Sequence, residues 1–233
     1  MKRLKGFYRL LIFSFIIFLP AAACSRTPGT SALTAPTAPA TTVPATTVPA
    51  PTATASAAIE TTPPLPERKP EEAEIHYQRG YGLFLAGDLA GAGAALDRAL
   101  DADPLAYKAY NVKGIVLCYQ GDCPAGTALI QTALALEPKD PYVKFNMAMA
   151  YKLQGDLDNA LDWFLQTLTL DPANVWSFYG IATIYADRGN ADKALEYLEK
   201  AILLDSSVKQ TAKSQTEHFG ALMSDPRFLL LVR

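Results

Sequence analysis

Residues 141–174 read PYVKFNMAMAYKLQGDLDNALDWFLQTLTLDPAN. Gly155-Asp156 divides this stretch into two halves of helical apolar spacing, and Pro172 closes it. The glycine predicts a helix ending in the left-handed region, which glycine adopts at no steric cost. The aspartate can then accept backbone N–H groups that open a second helix. Pro172 cannot continue that second helix. Ala148 and Ala160 let the two backbones approach, while Tyr151 and Phe164 fill the space around them in the i, i+3, i+4, i+7 pattern of amphipathic helices.

Working outward, the same hairpin recurs at a period of 34 residues without a gap: Ala73–Ala106, Tyr107–Asp140, Pro141–Asn174 and Val175–Val208. A fixed period of this size decides the architecture before any single element does. The turn is repeated as Gly87-Asp88, Gly121-Asp122, Gly155-Asp156 and Gly189-Asn190. Pro104, Pro138 and Pro172 recur as stops, with Ser206 in the fourth unit. Small residues recur as Gly80, Gly114, Ala148 and Ala182, then Ala92, Gly126, Ala160 and Ala194, and again as Ala99, Ala133, Thr167 and Ala201. Leu83, Leu117, Tyr151 and Tyr185, with Leu96, Ile130, Phe164 and Leu198, supply the bulk between them.

Together these positions resemble the signature of the tetratricopeptide repeat family, over about 136 consecutive residues. The fourth position, usually aromatic, departs in His76 and Lys144. The resemblance implies an all-α superhelix of four helix-turn-helix repeats, with residues 67–208 as the repeat domain and residues 209–233 as C-terminal capping helices. In the cap, Val208, Ala212, Gln215, Phe219, Leu222 and Met223 fit one face of a helix. Asp225-Pro226 then predicts an N-cap and a first-turn proline, with Phe228, Leu229 and Leu231 folding back on the last unit.

The resemblance also implies a concave groove lined by the first helix of each unit. Its positions are Glu74, Tyr77, Tyr81, Phe84 and Leu85; Lys108, Asn111, Ile115, Cys118 and Tyr119; Tyr142, Phe145, Met149, Lys152 and Leu153; Trp176, Tyr179, Thr183, Ala186 and Asp187. So many aromatics predict a protein or peptide ligand, since aromatic anchors dominate such affinities. The expected contact set is Tyr77, Tyr81, Phe84, Asn111, Tyr119, Phe145, Met149, Trp176 and Tyr179. The competing use of such rings is to brace neighbouring helices. Only Lys108, Asn111 and Lys152 echo the carboxylate grip of the family's chaperone-tail binders, so that specificity is not expected. The alternative function is a structural assembly module, self-associating through its ends or its Leu-rich tail, or part of a surface, secretion or pilus-type machine.

The N-terminal third differs in kind. Lys2, Arg3, Lys5 and Arg9 precede an apolar stretch, Leu10–Leu19, and then Pro20-Ala21-Ala22-Ala23-Cys24, the layout of a secretory signal. The apolar run is too short to span a bilayer, which needs about 20 residues. Small residues before Cys24 resemble the lipobox of bacterial lipoproteins, in which the cysteine is lipidated; Ala21 stands where that motif usually has Leu, and ordinary signal cleavage would also suit it. Residues 24–66 repeat Thr-Ala-Pro and Thr-Thr-Val-Pro, which predicts a disordered, extended tether. The expectation is a cell-envelope protein, lipid-anchored to a bacterial membrane, or alternatively one secreted or periplasmic and soluble.

The net charge is −2, and removing the basic leader leaves 17 basic residues against 23 acidic ones, a net charge of −6. A mildly acidic chain without a basic stripe gives no electrostatic reason to bind nucleic acid. No phosphate-binding loop, nucleophile elbow or zinc-binding His-Glu-x-x-His is present, so neither catalysis nor a cofactor nor a metal is expected. Cys118 and Cys123 straddle the turn of the second unit, where their α carbons should be close enough to bridge; a structural disulfide is expected.

Overall fold

The computed structural model describes residues 67–233; the leader, Cys24 and the Thr/Pro-rich segment lie outside the described residues. Eight helices form four hairpins: α1 (Pro70–Leu85) with α2 (Leu89–Ala102), α3 (Tyr107–Tyr119) with α4 (Cys123–Leu136), α5 (Pro141–Leu153) with α6 (Leu157–Leu170), and α7 (Val175–Asp187) with α8 (Ala191–Leu204). Three short helices follow: α9 (Val208–Ser214), α10 (Thr216–Phe219) and, after a 3-10 turn, α11 (Pro226–Leu231). The described residues form an all-α tetratricopeptide-type superhelix with capping helices.

Each hairpin turns on its glycine, with φ of +82° at Gly87, +95° at Gly121, +78° at Gly155 and +69° at Gly189. Any L side chain would be strained there. The next residue caps the second helix: Asp88, Asp122, Asp156 and Asn190 accept the N–H groups of Gly91, Ala125, Asn159 and Lys193 at 2.8–3.2 Å. Each such cap contributes about 1 kcal/mol. The start of α1 is tied down from outside the repeat. The Arg68 guanidinium grips buried Asp103 through two bonds of 2.7 and 2.9 Å, and the Lys69 N–H donates to the Ala102 carbonyl. That guanidinium, with the Leu105 N–H, holds the Asp103 carboxyl below its ordinary range. Its contribution is present above the ordinary carboxylate range and is lost as the pH falls through the lowered native value.

Within hairpins the small residues set the separation. A β carbon on Gly126 would lie 2.4 Å from the Gly114 carbonyl oxygen, and one on Gly114 would lie 2.6 Å from the Gly126 carbonyl oxygen. The two backbones therefore touch where α3 crosses α4. Alanine at either position should cost about 1–3 kcal/mol through forced separation. Alanine at Gly82, whose added carbon would meet nothing within 4 Å, should instead stabilise by about 0.5–1 kcal/mol. Urea midpoints of the three variants against the parent check both signs.

The cap differs from a single amphipathic helix. Val208, Ala212, Gln215, Phe219 and Leu222 are all buried as the spacing required, but the chain breaks at Gln215, whose φ and ψ are −89° and +65°. The Ser214 hydroxyl turns back onto the Thr211 carbonyl at this point, the kind of local bond that competes with helix continuation. Asp225 accepts the Arg227 N–H and Pro226 opens α11. Phe228 is fully buried, but Leu229 is 53% exposed and does not fold back.

Candidate functional site

First helices pack on one another, α1 on α3 and α3 on α5, whereas successive second helices are at most slightly in contact. Over the first three repeats the first helices therefore form the tighter side of the stack. Their sequence-derived groove positions divide into two populations. Tyr179 and Asn111 are buried almost completely, and Tyr77, Phe84, Tyr119 and Met149 are buried as well. Tyr81, Phe145 and Trp176 remain partly exposed, as do Tyr142 and Lys152.

The buried members brace neighbouring helices, the use that competes with ligand contact. Tyr179 lies beneath the cap, its ring 5.9 Å from that of Phe219. Phe84 and Tyr119 pack together across the first two repeats with ring centres 5.8 Å apart. The Asn146 side-chain amide Nδ2 donates to the Asn111 side-chain Oδ1 at 3.1 Å, joining α3 to α5 by a buried polar contact. Met149 packs into the same apolar interior.

A continuous run of rings crosses the inner side. Tyr77 stacks on Tyr81 at 5.9 Å, Tyr81 meets Tyr142 edge-on at 6.3 Å, Tyr142 stacks on Phe145 at 6.4 Å, and Phe145 leans on buried Phe164 at 5.7 Å. The Tyr81–Tyr142 contact links the first repeat directly to the third. Burial raises the Tyr142 hydroxyl well above its ordinary pKa, with the Tyr81 phenol contributing next. Lys152 and Leu153 follow on α5, while Trp176, on α7, is edge-on to Tyr179 at 5.8 Å and packs against the separate apolar cluster of the fourth repeat and the cap.

Lys152 carries the charge at this end. Its ammonium donates to the Thr183 hydroxyl at 2.6 Å, and that hydroxyl donates in turn to the Gly180 carbonyl. Burial pulls the Lys152 pKa from 10.5 down to about 8, against the opposing pull of Asp187 and Glu217. Asp187 is held by the His218 ring of the cap at 2.7 Å. Because the native lysine releases its proton at lower pH than the unfolded chain, at this residue the unfolded state binds more protons above about pH 8, so the lysine's own contribution to stability should rise with pH from there. The cost of burying the charge is fully present at pH 7. The buried thiols of Cys118 and Cys123 and the buried phenols, all raised in pKa, act in the opposite sense over this range, so the lysine is read by difference: the urea stability of the parent minus that of Lys152→Met should rise between about pH 7.5 and pH 9.5.

Cys118 and Cys123 are free thiols, both buried, and the expected bridge is not formed. Each sulfur is aimed at a carbonyl instead: the Cys118 thiol at the Cys123 carbonyl, 3.9 Å, and the Cys123 thiol at the Ala150 carbonyl of the next repeat, 3.8 Å. Burial, then the Cys123 thiol, pushes the Cys118 pKa up, which suits packing and not nucleophilic chemistry.

Tyr142 and Asn146 were the contacts least visible in the sequence. Tyr142 stood among the groove positions without being singled out, and Asn146 sits one place off the position that Asn111 occupies in its own repeat.

A tetratricopeptide repeat model matches residues 54–107 and 111–175, and a second such model matches residues 177–207. Among curated proteins none matches the chain. Among solved structures, one described as the functional characterization of Pseudomonas aeruginosa PilF is 20% identical, covering 69% of this chain and 73% of its own with a TM-score of 0.59. A crystal structure of MamA is 19% identical, covers 70% of this chain and 90% of its own, and has a TM-score of 0.53. At such identities these likenesses speak for the fold alone. With its family model matching more than half of its length, the chain belongs to the tetratricopeptide repeat family.

Proposed function

We propose that this protein is a non-enzymatic interaction scaffold of the cell envelope, holding a segment of a protein partner against the inner face of its repeats. The observation that carries the reading is the part-exposed run of Tyr81, Tyr142 and Phe145, with Trp176 also part-exposed on α7 and Lys108 and Lys152 on the same set of first helices. Rings of this kind, set on rigid helices, offer large contact area at little entropic cost. The mixed polar rim suits a protein segment better than a lipid or a nucleic acid. Anchoring through a lipidated Cys24 and the Thr/Pro tether is part of the proposal and rests on the sequence pattern.

A photo-reactive amino acid placed at Phe145 in the full chain, in intact cells, should trap a discrete protein partner. The same probe at Leu165, 39% exposed on a second helix, should not. Equal trapping at both positions, or at neither, would contradict the reading. Separately, mass spectrometry of the mature N-terminus should show Cys24 carrying acyl chains, and an unmodified cysteine there would remove the anchor.

A further inference from the structure

In each later repeat the first helix packs on the second helix of the repeat before it: α3 on α2, α5 on α4 and α7 on α6. Gly180, the sixth residue of its repeat, marks the side involved, since a β carbon there would meet the Phe164 ring of α6 at 2.5 Å. The third and tenth residues flank the sixth on the same side of the helix. In the second to fourth repeats they are Ala109, Val143 and Ser177, then Val116, Ala150 and Ile184, and none has any exposed surface. Their counterparts in the first repeat stand in water. Ile75 is 69% exposed, Gln78 is exposed beside it, and a β carbon on Gly82 would meet nothing within 4 Å. Among the described residues no helix precedes α1 to cover them.

The charges on this open face follow the internal junctions. Where α2 meets α3, Asp97 pairs with Lys113. Arg79 occupies the place of Lys113 one period earlier, is exposed, and makes no ion pair among the described residues. Two turns before it on the same side of α1 lie Glu71 and Glu72, both exposed. Glu71 makes no ion pair among the described residues, and Glu72 has only loose contacts with Lys69 at 3.5 Å and His76 at 3.9 Å. One uncovered face therefore carries a cation and, two turns away, the carboxylates that would complement it.

We infer that a second copy of the chain covers this face, related by a twofold axis that crosses α1 near Ile75. Such an axis sets the two α1 helices antiparallel, as α2 and α3 are across their short connection. It brings the two Ile75 side chains together and places Arg79 of each copy against Glu71 and Glu72 of the other, as Asp97 stands against Lys113. A face that holds both members of a pairing is self-complementary under a twofold operation. Head-to-tail stacking is closed to a second copy, because the cap helices already pack on α8 and bury Phe219 and Phe228 there. The inference is independent of the inner-face reading.

Two differently tagged copies of the full chain, expressed in one cell and extracted in mild detergent, should co-isolate. A photo-reactive amino acid at Gln78 should join one tag to the other in a product of twice the chain's mass. Arg79→Glu should lower co-isolation roughly tenfold. Adding Glu71→Arg and Glu72→Arg in the same chain should restore it, because both members of the pairing then exchange sign. Ile75→Asp should lower it by a similar factor, with an unchanged melting temperature showing that the fold is intact. Leu203→Asp, at a position 78% exposed on α8, should leave co-isolation unchanged, and trapping at Phe145 should survive Arg79→Glu. Failure of the tags to co-isolate, indifference to Ile75→Asp or Arg79→Glu, or a charge swap that does not rescue would each overturn the dimer. A Gln78 product that contains a different protein, or that stays within a single chain, would overturn it as well.

Discussion

Truncating Phe164 to alanine should cost about 3–5 kcal/mol of folding stability. Its ring is fully buried on α6, presses on the Gly180 backbone of α7 so closely that a β carbon there would lie 2.5 Å away, and leans on Phe145 of α5. It therefore joins the third repeat to the fourth. The apolar interior falls into two clusters that meet here: Phe164, Ile181 and Ile184 belong to the first, while Tyr179, Ala182 and the cap residues belong to the second. In a stack stabilised by neighbour contacts, weakening one seam uncouples what lies on either side. The melting temperature should fall by about 10 °C. Amide exchange should show α7 to α11 opening ahead of α1 to α4, and a uniform loss of protection along the chain would contradict this.

The second large effect concerns the inner face. Trp176→Ala and Phe145→Ala should each weaken the trapped partner by roughly thirtyfold, the size of a hot spot of about 2 kcal/mol. Leu165→Ala should change affinity less than about threefold. Trp176 is the cleaner of the two, because Phe145 also supports Phe164; an effect of Phe145→Ala should therefore be compared with the variant's own stability. Biolayer interferometry of the full chain against the isolated partner reads both.

The turns were legible in the sequence because each depends on adjacent residues. Gly121 needs only its own freedom from a side chain, and Asp122 needs only the N–H three places on, so the five residues 121–125 contain the whole cause. The close approach of Gly114 and Gly126 was legible through repetition of small residues at fixed positions. The site was less so. Helical spacing assigns Tyr179 to the first-helix face, but whether that ring meets solvent depends on Phe219, which arrives from the cap 40 residues later. Tyr77 is likewise covered partly through Tyr81, which itself reaches across to Tyr142 in the third repeat. Asn111 is taken by Asn146, at a register the family pattern does not mark. The cysteines show the same limit: their spacing across a turn permits a bridge, but the orientation of each thiol is set by packing, and Cys123 points to Ala150 in the next repeat. Periodicity tells which helix and which side a residue occupies. It does not tell what a later segment lays over it.

Amide hydrogen exchange of the full chain, with and without the partner trapped at Phe145, is the most direct measurement. Protection gained on binding should concentrate in α1, α5 and α7, over residues 70–85, 141–153 and 175–187, with little change in α4, α6 and α8. Protection concentrated instead in the second helices would contradict the assignment of the partner to the inner face.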